Sequence, residues 1–332
     1  MKNLYKYINI SAILLVITLI VGVLSSYINL GVFSVFFSVF LPLLFIINIF
    51  FIVYGIRKKK YFYFTGIFLF IICFEFFFQF SIKKAVQPSP EAISLLSYNV
   101  REFNADNDIN EEGIANKILN FVESVNPDIL VLQESEIKAS QKIKNYPHKF
   151  IGYRKGKSKT LLAMYSKYPI IKRGYIDFPN TLNNAMYADI KILQDTIRVF
   201  NMHLQSFGVE LNSVKENNNR FSSFFSKING SISKQIQQAK LVKAEINQSS
   251  KKVIVCGDFN STQFSLPYRV LKKGLADSFI SKGSGLGATF SLSYYPLRLD
   301  FFLLDKRLKI VNHNNFNLNL SDHEPILLNF TL

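Results

Sequence analysis

Polar side chains able to bind a metal or move a proton recur at the ends of apolar runs along this sequence. They are Asn99 in LLSYNV, Glu134 in LVLQES, His203 in VFNMHLQS, Asp258 and Asn260 in CGDFN, and Asp300 in RLDFF. A sixth group, Ser321-Asp322-His323, precedes the last apolar run. An apolar run that stops at such residues is typical of a buried strand that brings polar groups to a sheet edge. Each residue alone is explained by a helix cap, a turn or a structural histidine, so the meaning lies in the set.

The set contains the residue types that phosphoester hydrolysis requires. Carboxylate and carboxamide oxygens hold a hard cation, which stabilises charge on phosphoryl oxygens and helps to generate hydroxide at neutral pH. A histidine oriented by a carboxylate moves the proton. The chain has neither a Cys/His spacing typical of zinc sites nor a GxxxxGK phosphate loop. The sequence therefore favours metal-dependent phosphoester chemistry.

These residues belong to predicted strands, most of them short and apolar. We expect strands over 93–100, 128–135, 160–166, 185–193, 195–204, 253–259, 298–304 and 325–332. Apolar residues at helical spacing predict helices over 110–125 and 232–246. Strands outnumber helices, and many connections are short enough for antiparallel neighbours. The pattern predicts a layered α+β domain with sheets packed face to face.

The N-terminal quarter of the chain has a different character. Of the 332 residues, 49% are hydrophobic, and no charged residue occurs from Tyr7 to Ile56. About 20 apolar residues already cross a bilayer, so this run is long enough for two spans. We predict transmembrane helices at about 8–29, 32–56 and 61–80, the last interrupted only by Glu75. A cleaved signal peptide would have a single short apolar core, which three long runs do not match.

The distribution of cations predicts the orientation of these spans. Lys2 and Lys6 precede the first span, and the cluster 57–60 lies between the second and the third. Cations concentrate on the cytoplasmic side, so three spans place the rest of the chain outside. We therefore expect a membrane anchor over 1–87 and a catalytic domain over 88–332. The predicted location is the bacterial inner membrane, with the N-terminus cytoplasmic and the catalytic domain periplasmic.

Six motifs together resemble a known protein family. SYNVREF, LVLQES, MHLQS, GDFN, RLDFF and SDHEP are similar, in this order, to the motif series of the endonuclease/exonuclease/phosphatase superfamily. The resemblance covers residues 93–332. It implies a four-layer α/β/β/α sandwich, in which two mostly antiparallel sheets are flanked by helices, following the three-helix membrane bundle.

The resemblance also implies a metal site. Glu134 would be the principal ligand of Mg²⁺, with Mn²⁺ as an alternative, and Asn99 and Asp322 would support it. Whether one metal ion or two take part stays open.

The remaining motif residues would have catalytic roles by the same resemblance. Asp258 and Asn260 would orient the attacking water and the phosphate. His323, paired with Asp300, would be the general acid/base or the stabiliser of the transition state, and His203 would contact the scissile phosphate. Whether Asp258 or His323 takes the proton of the water is left open.

The substrate is not fixed by these motifs. Outside residues 1–87, 31 basic and 22 acidic residues give a net charge of +9, which suits an anionic partner. The absence of tryptophan disfavours some specialised family members. The substrate is a phosphoester either in nucleic acid or in a phospholipid head group. Residues 8–80 are predicted to contact the bilayer, and the sequence indicates no protein partner.

Two alternative functions are considered. One is a catalytically silent module that binds a phosphate ligand at the membrane, and the other is a membrane protein whose function lies in its helices.

Overall fold

The computed structural model describes residues 2–59, 63, 66–68, 71, 81–82, 91–152, 159–208 and 220–332. It begins with two long helices, α1 (Lys2–Leu24) and α2 (Val32–Arg57). Both are long and apolar enough to cross a membrane, by length and composition alone. The predicted third span, 61–80 with Glu75, falls largely outside the described residues. So does the predicted boundary at residue 88.

The rest of the described chain contains two six-stranded sheets and two short ribbons. The first sheet has the spatial order β10-β14-β9-β8-β7-β6, with β6 Ile170–Asp177, β7 Asn184–Ile192, β8 Asp195–His203, β9 Lys252–Asp258, β10 Leu275–Asp277 and β14 Asp300–Asp305. The second has the order β15-β16-β2-β3-β5-β4, with β2 Ile93–Asn99, β3 Ile129–Gln133, β4 His148–Gly152, β5 Leu162–Ser166, β15 Lys309–Asn315 and β16 Ile326–Thr331. The ribbons pair β1 (Ser81–Ile82) with β11 (Ser284–Gly285), and β12 (Phe290–Leu292) with β13 (Tyr295–Leu297).

Six further helices accompany the sheets in the described residues. They are α3 Arg101–Asn104, α4 Ile114–Val125, α5 Ile137–Lys142, α6 Arg220–Gln248, α7 Leu266–Lys272 and α8 Ser278–Lys282. The predicted helix 110–125 corresponds to α4, which starts after Gly113 in a left-handed conformation. The predicted helix 232–246 corresponds to α6, which begins 12 residues earlier than expected.

Three apolar cores hold these layers together. One lies between the sheets and joins residues such as Leu95 and Val131 of the second sheet to Val199 and Ile254 of the first. A second packs α6 and α7 on the outer face of the first sheet, and a third packs α4 and α5 on the outer face of the second. The predicted arrangement of two packed sheets flanked by helices is confirmed, and most strand pairs are antiparallel.

Strand directions bring the ends that bear polar residues to one edge of each sheet. Strands β2 and β3 are parallel and pair Asn99 with Gln133, and β8 and β9 are parallel and pair His203 with Asp258. Strand β14 runs antiparallel to β9, so its first residue, Asp300, pairs with Asp258. Asp300 therefore reaches the shared edge because it begins a strand, whereas the other residues end theirs.

A buried histidine links the two sheets away from this edge. His313 in β15 shares a hydrogen bond of 2.7 Å with Ser278 of α8, and its ring contacts Phe279 and Phe302. Burial lowers the pKa of His313 to about 4, although the charge of Asp277 opposes the shift. The folded protein therefore resists protonation of this ring.

This histidine makes stability depend on pH. Between pH 6.5 and about 4 the unfolded chain binds a proton at His313 that the folded chain does not, so stability falls as the pH falls through this window. The loss amounts to about 3 kcal/mol. We expect His313→Gln to remove this part of the pH dependence of urea unfolding. His148→Gln, in the partly exposed start of β4, is the control, and equal slopes for the two variants would contradict the assignment.

Candidate active site

The second sheet contributes Asn99 and Glu134 to the site. Asn99 is buried at the end of β2, and Glu134 follows β3 with its side chain 30% exposed. The Nδ2 atom of Asn99 donates to Glu134 Oε1 at 3.2 Å and to Asp258 Oδ2 at 3.1 Å. One amide therefore connects the carboxylates of the two sheets.

The backbone at Glu134 turns sharply to aim its carboxylate at the first sheet. Its φ of 44° lies in the left-handed region, and its carbonyl oxygen accepts from the Glu102 amide at 2.6 Å. In the preceding residue, Gln133 Nε2 donates to Asn201 Oδ1 at 2.7 Å, and Asn201 Nδ2 donates to the Leu132 carbonyl at 2.9 Å. This buried network joins the residue before Glu134 to a strand of the other sheet, which fixes the carboxylate relative to His203.

The first sheet contributes Asp258 and His203, both buried. His203 Nε2 lies 3.3 Å from Glu134 Oε1 and 3.6 Å from Asp258 Oδ2. Neither ring nitrogen of this histidine forms a well-aligned hydrogen bond with the described part of the chain. Gly257 allows the close strand approach, because a Cβ there would lie 2.1 Å from the Met202 carbonyl oxygen.

Asn260 folds back over Asp258 immediately after β9. Its backbone amide donates to Asp258 Oδ1 at 2.7 Å, and its side-chain Nδ2 donates to Asp258 Oδ2 at 3.2 Å and to the Leu204 carbonyl at 2.9 Å. Its φ of 46° permits this return. The GDFN motif is thus a strand end in which the carboxamide sits beside the carboxylate.

Asp300, His323 and Asp258 form a continuous polar chain. His323 Nδ1 lies 2.8 Å from Asp300 Oδ2, and its Nε2 lies 3.5 Å from Asp258 Oδ2. The Asp300 backbone is held by Thr289, whose hydroxyl oxygen accepts from the Asp300 amide at 3.1 Å. Asp300 therefore fixes the ring with Nε2 directed at Asp258.

Burial and charge shift the proton affinities of this chain. Burial raises the pKa of the Asp258 carboxyl to about 6, and the charge of Asp300 adds to the shift while His323 opposes it. Burial lowers the pKa of His323, but the charges of Asp258 and Asp300 outweigh burial and raise it well above its ordinary value. The two carboxylates therefore favour the protonated form of this ring.

Two overlapping groups of side chains have the spacing that metal coordination requires. Glu134, His203 and Asp258 form one group, and Asp258, Asp300 and His323 form the other, with ligand atoms in each within 4.8 Å of one another. Asp258 belongs to both. The structure thus brings together five of the six predicted site residues that bear carboxylate or imidazole groups.

Asp322 lies apart from both groups. Its carboxylate forms an ion pair with Arg101 Nη1 at 2.9 Å, and its side chain is 33% exposed. The neighbouring Ser321 hydroxyl donates to the Asn99 carbonyl at 2.8 Å, which ties this loop to β2. The role of Asp322 as a metal ligand stays a prediction.

Several residues around the site were not predicted. Phe290 packs against His323 with ring centroids 5.1 Å apart and forms a bridge to it, and Thr289 holds Asp300. Both lie in a segment without an apolar run that could have indicated them. Gln133 and Asn201 did give a signal, because Gln133 directly follows the apolar run ILVL and Asn201 lies between the apolar residues Phe200 and Met202.

The fold and this site define a class of phosphoesterase. The sequence profile of the Endonuclease/Exonuclease/phosphatase family matches residues 96–323, which include each of the eight predicted site residues. The chain belongs to this family, and its membership confirms the predicted class of enzyme, a hydrolase of phosphoester bonds. No curated protein matches the chain in sequence.

Solved structures of the same fold include proteins from animals and bacteria. Humanized D. rerio TDP2 with 14 mutations has a TM-score of 0.55 and 19% identity, and the match covers 73% of this chain and 100% of that chain. An endonuclease/exonuclease/phosphatase from Bacteroides vulgatus gives 0.58 and 17%, covering 73% and 99%. A mannosyl-6-phosphatase from Bacteroides thetaiotaomicron gives 0.56 and 18%, covering 72% and 100%. At these identities the comparison establishes the fold.

Proposed function

We propose that this protein is a membrane-anchored, divalent-metal-dependent phosphoester hydrolase. Residues 1–87 form the anchor, and residues 88–332 form the catalytic domain. The observation that supports this proposal best is the convergence of Glu134, His203, Asp258, Asp300 and His323 at one edge of the two sheets. The catalytically silent alternative is disfavoured because none of the predicted catalytic residues is missing.

The donor set fits a hard divalent cation. The carboxylates of Glu134 and Asp258 approach the same amide from different sheets, and the adjacent His203 ring lacks well-aligned hydrogen bonds to described residues. Oxygen ligands of this kind suit Mg²⁺, with Mn²⁺ as the alternative. Glu134 would be the principal ligand and Asn99 would support it, whereas the predicted support from Asp322 would require its carboxylate to leave Arg101. A bound cation supplies Lewis-acid stabilisation of charge on the phosphoryl oxygens.

The protein's own residues supply the proton transfer. Asp300 fixes the orientation of His323, whose Nε2–H stabilises negative charge or donates a proton. Asp258, whose pKa burial raises to about 6, orients the water and accepts its proton. Asn260 holds the phosphate beside Asp258, and His203 contacts the scissile phosphate.

The exposed surface of the two apolar helices supports a membrane location. Ile17, Phe33 and Phe50 are more than half exposed, at 51%, 63% and 70%, whereas core helices of soluble proteins bury such side chains. The helix turn touches the catalytic domain, since Ser26 donates to the Phe264 carbonyl and Asn229 Oδ1 accepts from the Val32 amide.

These contacts also support the proposed orientation. Arg57, the first residue of the basic cluster, lies at the other end of α2, which is about 39 Å long. Cations favour the cytoplasmic side, so the domain beside the opposite turn lies outside. The predicted third span over 61–80 would return the chain from Arg57 to β1 at the domain.

The substrate carries a phosphoester in nucleic acid or in a phospholipid head group. One related structure is a D. rerio TDP2 complex with single-strand DNA product, and another is a mannosyl-6-phosphatase. These names span different substrates, so the choice requires assay of the protein against DNA, RNA, sphingomyelin and inositol phosphates with and without Mg²⁺.

Metal removal tests the proposed function most directly. We expect EDTA to abolish hydrolysis of bis(4-nitrophenyl) phosphate by the full chain in detergent, and Mg²⁺ or Mn²⁺ to restore it. Because a ligand that binds only the folded state stabilises it, saturating Mg²⁺ should also raise the thermal unfolding midpoint by a few degrees. Ca²⁺ serves as a control for ionic effects. Turnover that resists EDTA would reject the proposal.

A further inference from the structure

A proline interrupts the hydrogen-bond ladder of α2. Pro42 lies inside this helix and has no backbone N–H. The carbonyl of Ser38, four residues earlier, is therefore deprived of its normal intrahelical donor. A carbonyl buried without a donor costs about 1–3 kcal/mol, so this acceptor needs another partner.

The catalytic domain provides that partner. The hydroxyl of Thr262 donates to the Ser38 carbonyl at 2.7 Å, and both residues are buried, at 4% and 6% exposure. Thr262 comes two residues after Asn260, so its Cα lies within about 7 Å of that of the site asparagine. The loop that leaves the active site is thus attached directly to the helix.

Apolar packing strengthens the same attachment. Phe264 is 3% exposed and packs in a cluster with Leu19 of α1 and with Leu41 and Phe45 of α2. Its carbonyl accepts from the Ser26 hydroxyl. A domain residue therefore fills a cleft between the two apolar helices, next to the turn that contains Pro42.

The other side of the active site rests on the same turn of α2. Tyr295 in β13 donates its hydroxyl to the Val39 carbonyl at 3.0 Å, and its ring lies 5.9 Å from that of Phe40. Strand β13 pairs with β12, whose Phe290 packs on His323. Two segments that flank the catalytic residues thus bind consecutive carbonyls, those of Ser38 and Val39.

We infer that the turn of α2 before Pro42, which carries the Ser38 and Val39 carbonyls, is a docking point that positions the active site. In this inference, which rests on the proposed function, the helix pair is part of the catalytic architecture as well as an anchor. Thr262 is a positioning residue that acts through Asn260, and the loop from Phe259 to Ser265 is held in its active conformation by the helices.

The test compares full-length variants in phosphatidylcholine nanodiscs. Thr262→Val keeps the shape but removes the hydroxyl, and Thr262→Ser restores it. Asn229→Ala is the matched control, since it breaks the 2.8 Å contact with the Val32 amide, a helix–domain contact outside the catalytic loop. The readouts are amide hydrogen exchange over 259–265, and kcat and KM for bis(4-nitrophenyl) phosphate with Mg²⁺.

We expect Thr262→Val to speed exchange over 259–265 and to lower kcat about tenfold, with KM changed less than twofold, as loss of a buried hydrogen bond predicts. Thr262→Ser should behave like the wild type, and Asn229→Ala should leave both readouts unchanged. Pro42→Ala gives the Ser38 carbonyl an intrahelical donor. In that background Thr262→Val should therefore have a smaller effect than in the wild type.

The two readouts separate this inference from the proposed function. If amide exchange over 259–265 is the same in Thr262→Val as in the Asn229→Ala control, the docking is contradicted, whether or not the substrate is hydrolysed. Equal kcat values for these two variants overturn the positioning role. A wild-type protein without Mg²⁺-dependent turnover rejects the hydrolase instead, and the exchange data still decide whether the loop is docked.

Discussion

Replacing Glu134 with glutamine is expected to lower kcat by about 10³ or more, because it removes the principal carboxylate from the proposed metal site. The substitution keeps the side-chain size and the hydrogen-bonding reach toward Asn99, so the fold should persist. Isothermal titration with Mg²⁺ or Mn²⁺ should show loss of high-affinity binding in the variant. Steady-state kinetics at saturating metal then measure the catalytic loss.

Glu136→Gln provides a matched control two residues further along the chain. The Glu136 carboxylate caps α5 by accepting from the amides of Lys138 and Ala139, and it belongs to neither metal-compatible group. We expect this variant to keep kcat within about twofold and to lose at most about 1 kcal/mol of stability from the weakened cap. If the metal-dependent turnover of Glu134→Gln were similar to that of Glu136→Gln, Glu134 would not be the principal ligand.

His323→Ala is expected to lower kcat by about 10³, in the range that loss of a positioned acid or base produces. The ring links Asp258 to Asp300, so its removal also leaves two buried carboxylates without the imidazole that lies between them. The thermal unfolding midpoint and circular dichroism of the variant separate this structural cost from the chemistry. Metal binding measured by titration should remain, which distinguishes this variant from Glu134→Gln.

Asp300→Asn tests whether the aspartate acts through the histidine. We expect Asp300→Asn to lower kcat as well. The double variant with His323→Ala should be no slower than His323→Ala alone, because the effects of residues that act as a unit are not additive. Asp305→Asn, at the other end of β14 and ion-paired with Arg307, is the control. Additive losses for Asp300 and His323 would mean that the two residues act independently.

Local sequence pattern was sufficient to predict the main strands and their polar ends. The apolar runs ending at Asn99, Glu134, His203 and Asp258 correspond to β2, β3, β8 and β9 within one or two residues. Buried strands have this signature because both of their faces contact apolar layers. The carboxylate, amide or imidazole at each end is the first side chain that does not have to pack between two apolar layers.

Elements with weaker patterns were not predicted. Strand β6 exposes much of its length, and the ribbon strands are two or three residues long, which is too short to show a strand periodicity. The first part of α6 was missed because the surrounding residues are rich in Asn, Ser and Lys. These elements are stabilised by tertiary neighbours, which a short sequence window does not contain.

The sequence by itself determined the chemistry available to this protein, the strand ends that carry it, the family and the apolar N-terminal helices. Tertiary structure decided which of these residues meet. Asn99 reaches Asp258 across 159 positions only because two sheets pack face to face, and Asp322 turns to Arg101 instead of the metal-compatible groups. The bond from Thr262 to Ser38, separated by 224 positions, depends on how the domain packs on the helices. Local spacing reports the conformation of a segment, whereas contacts between distant segments depend on the packing of complete layers.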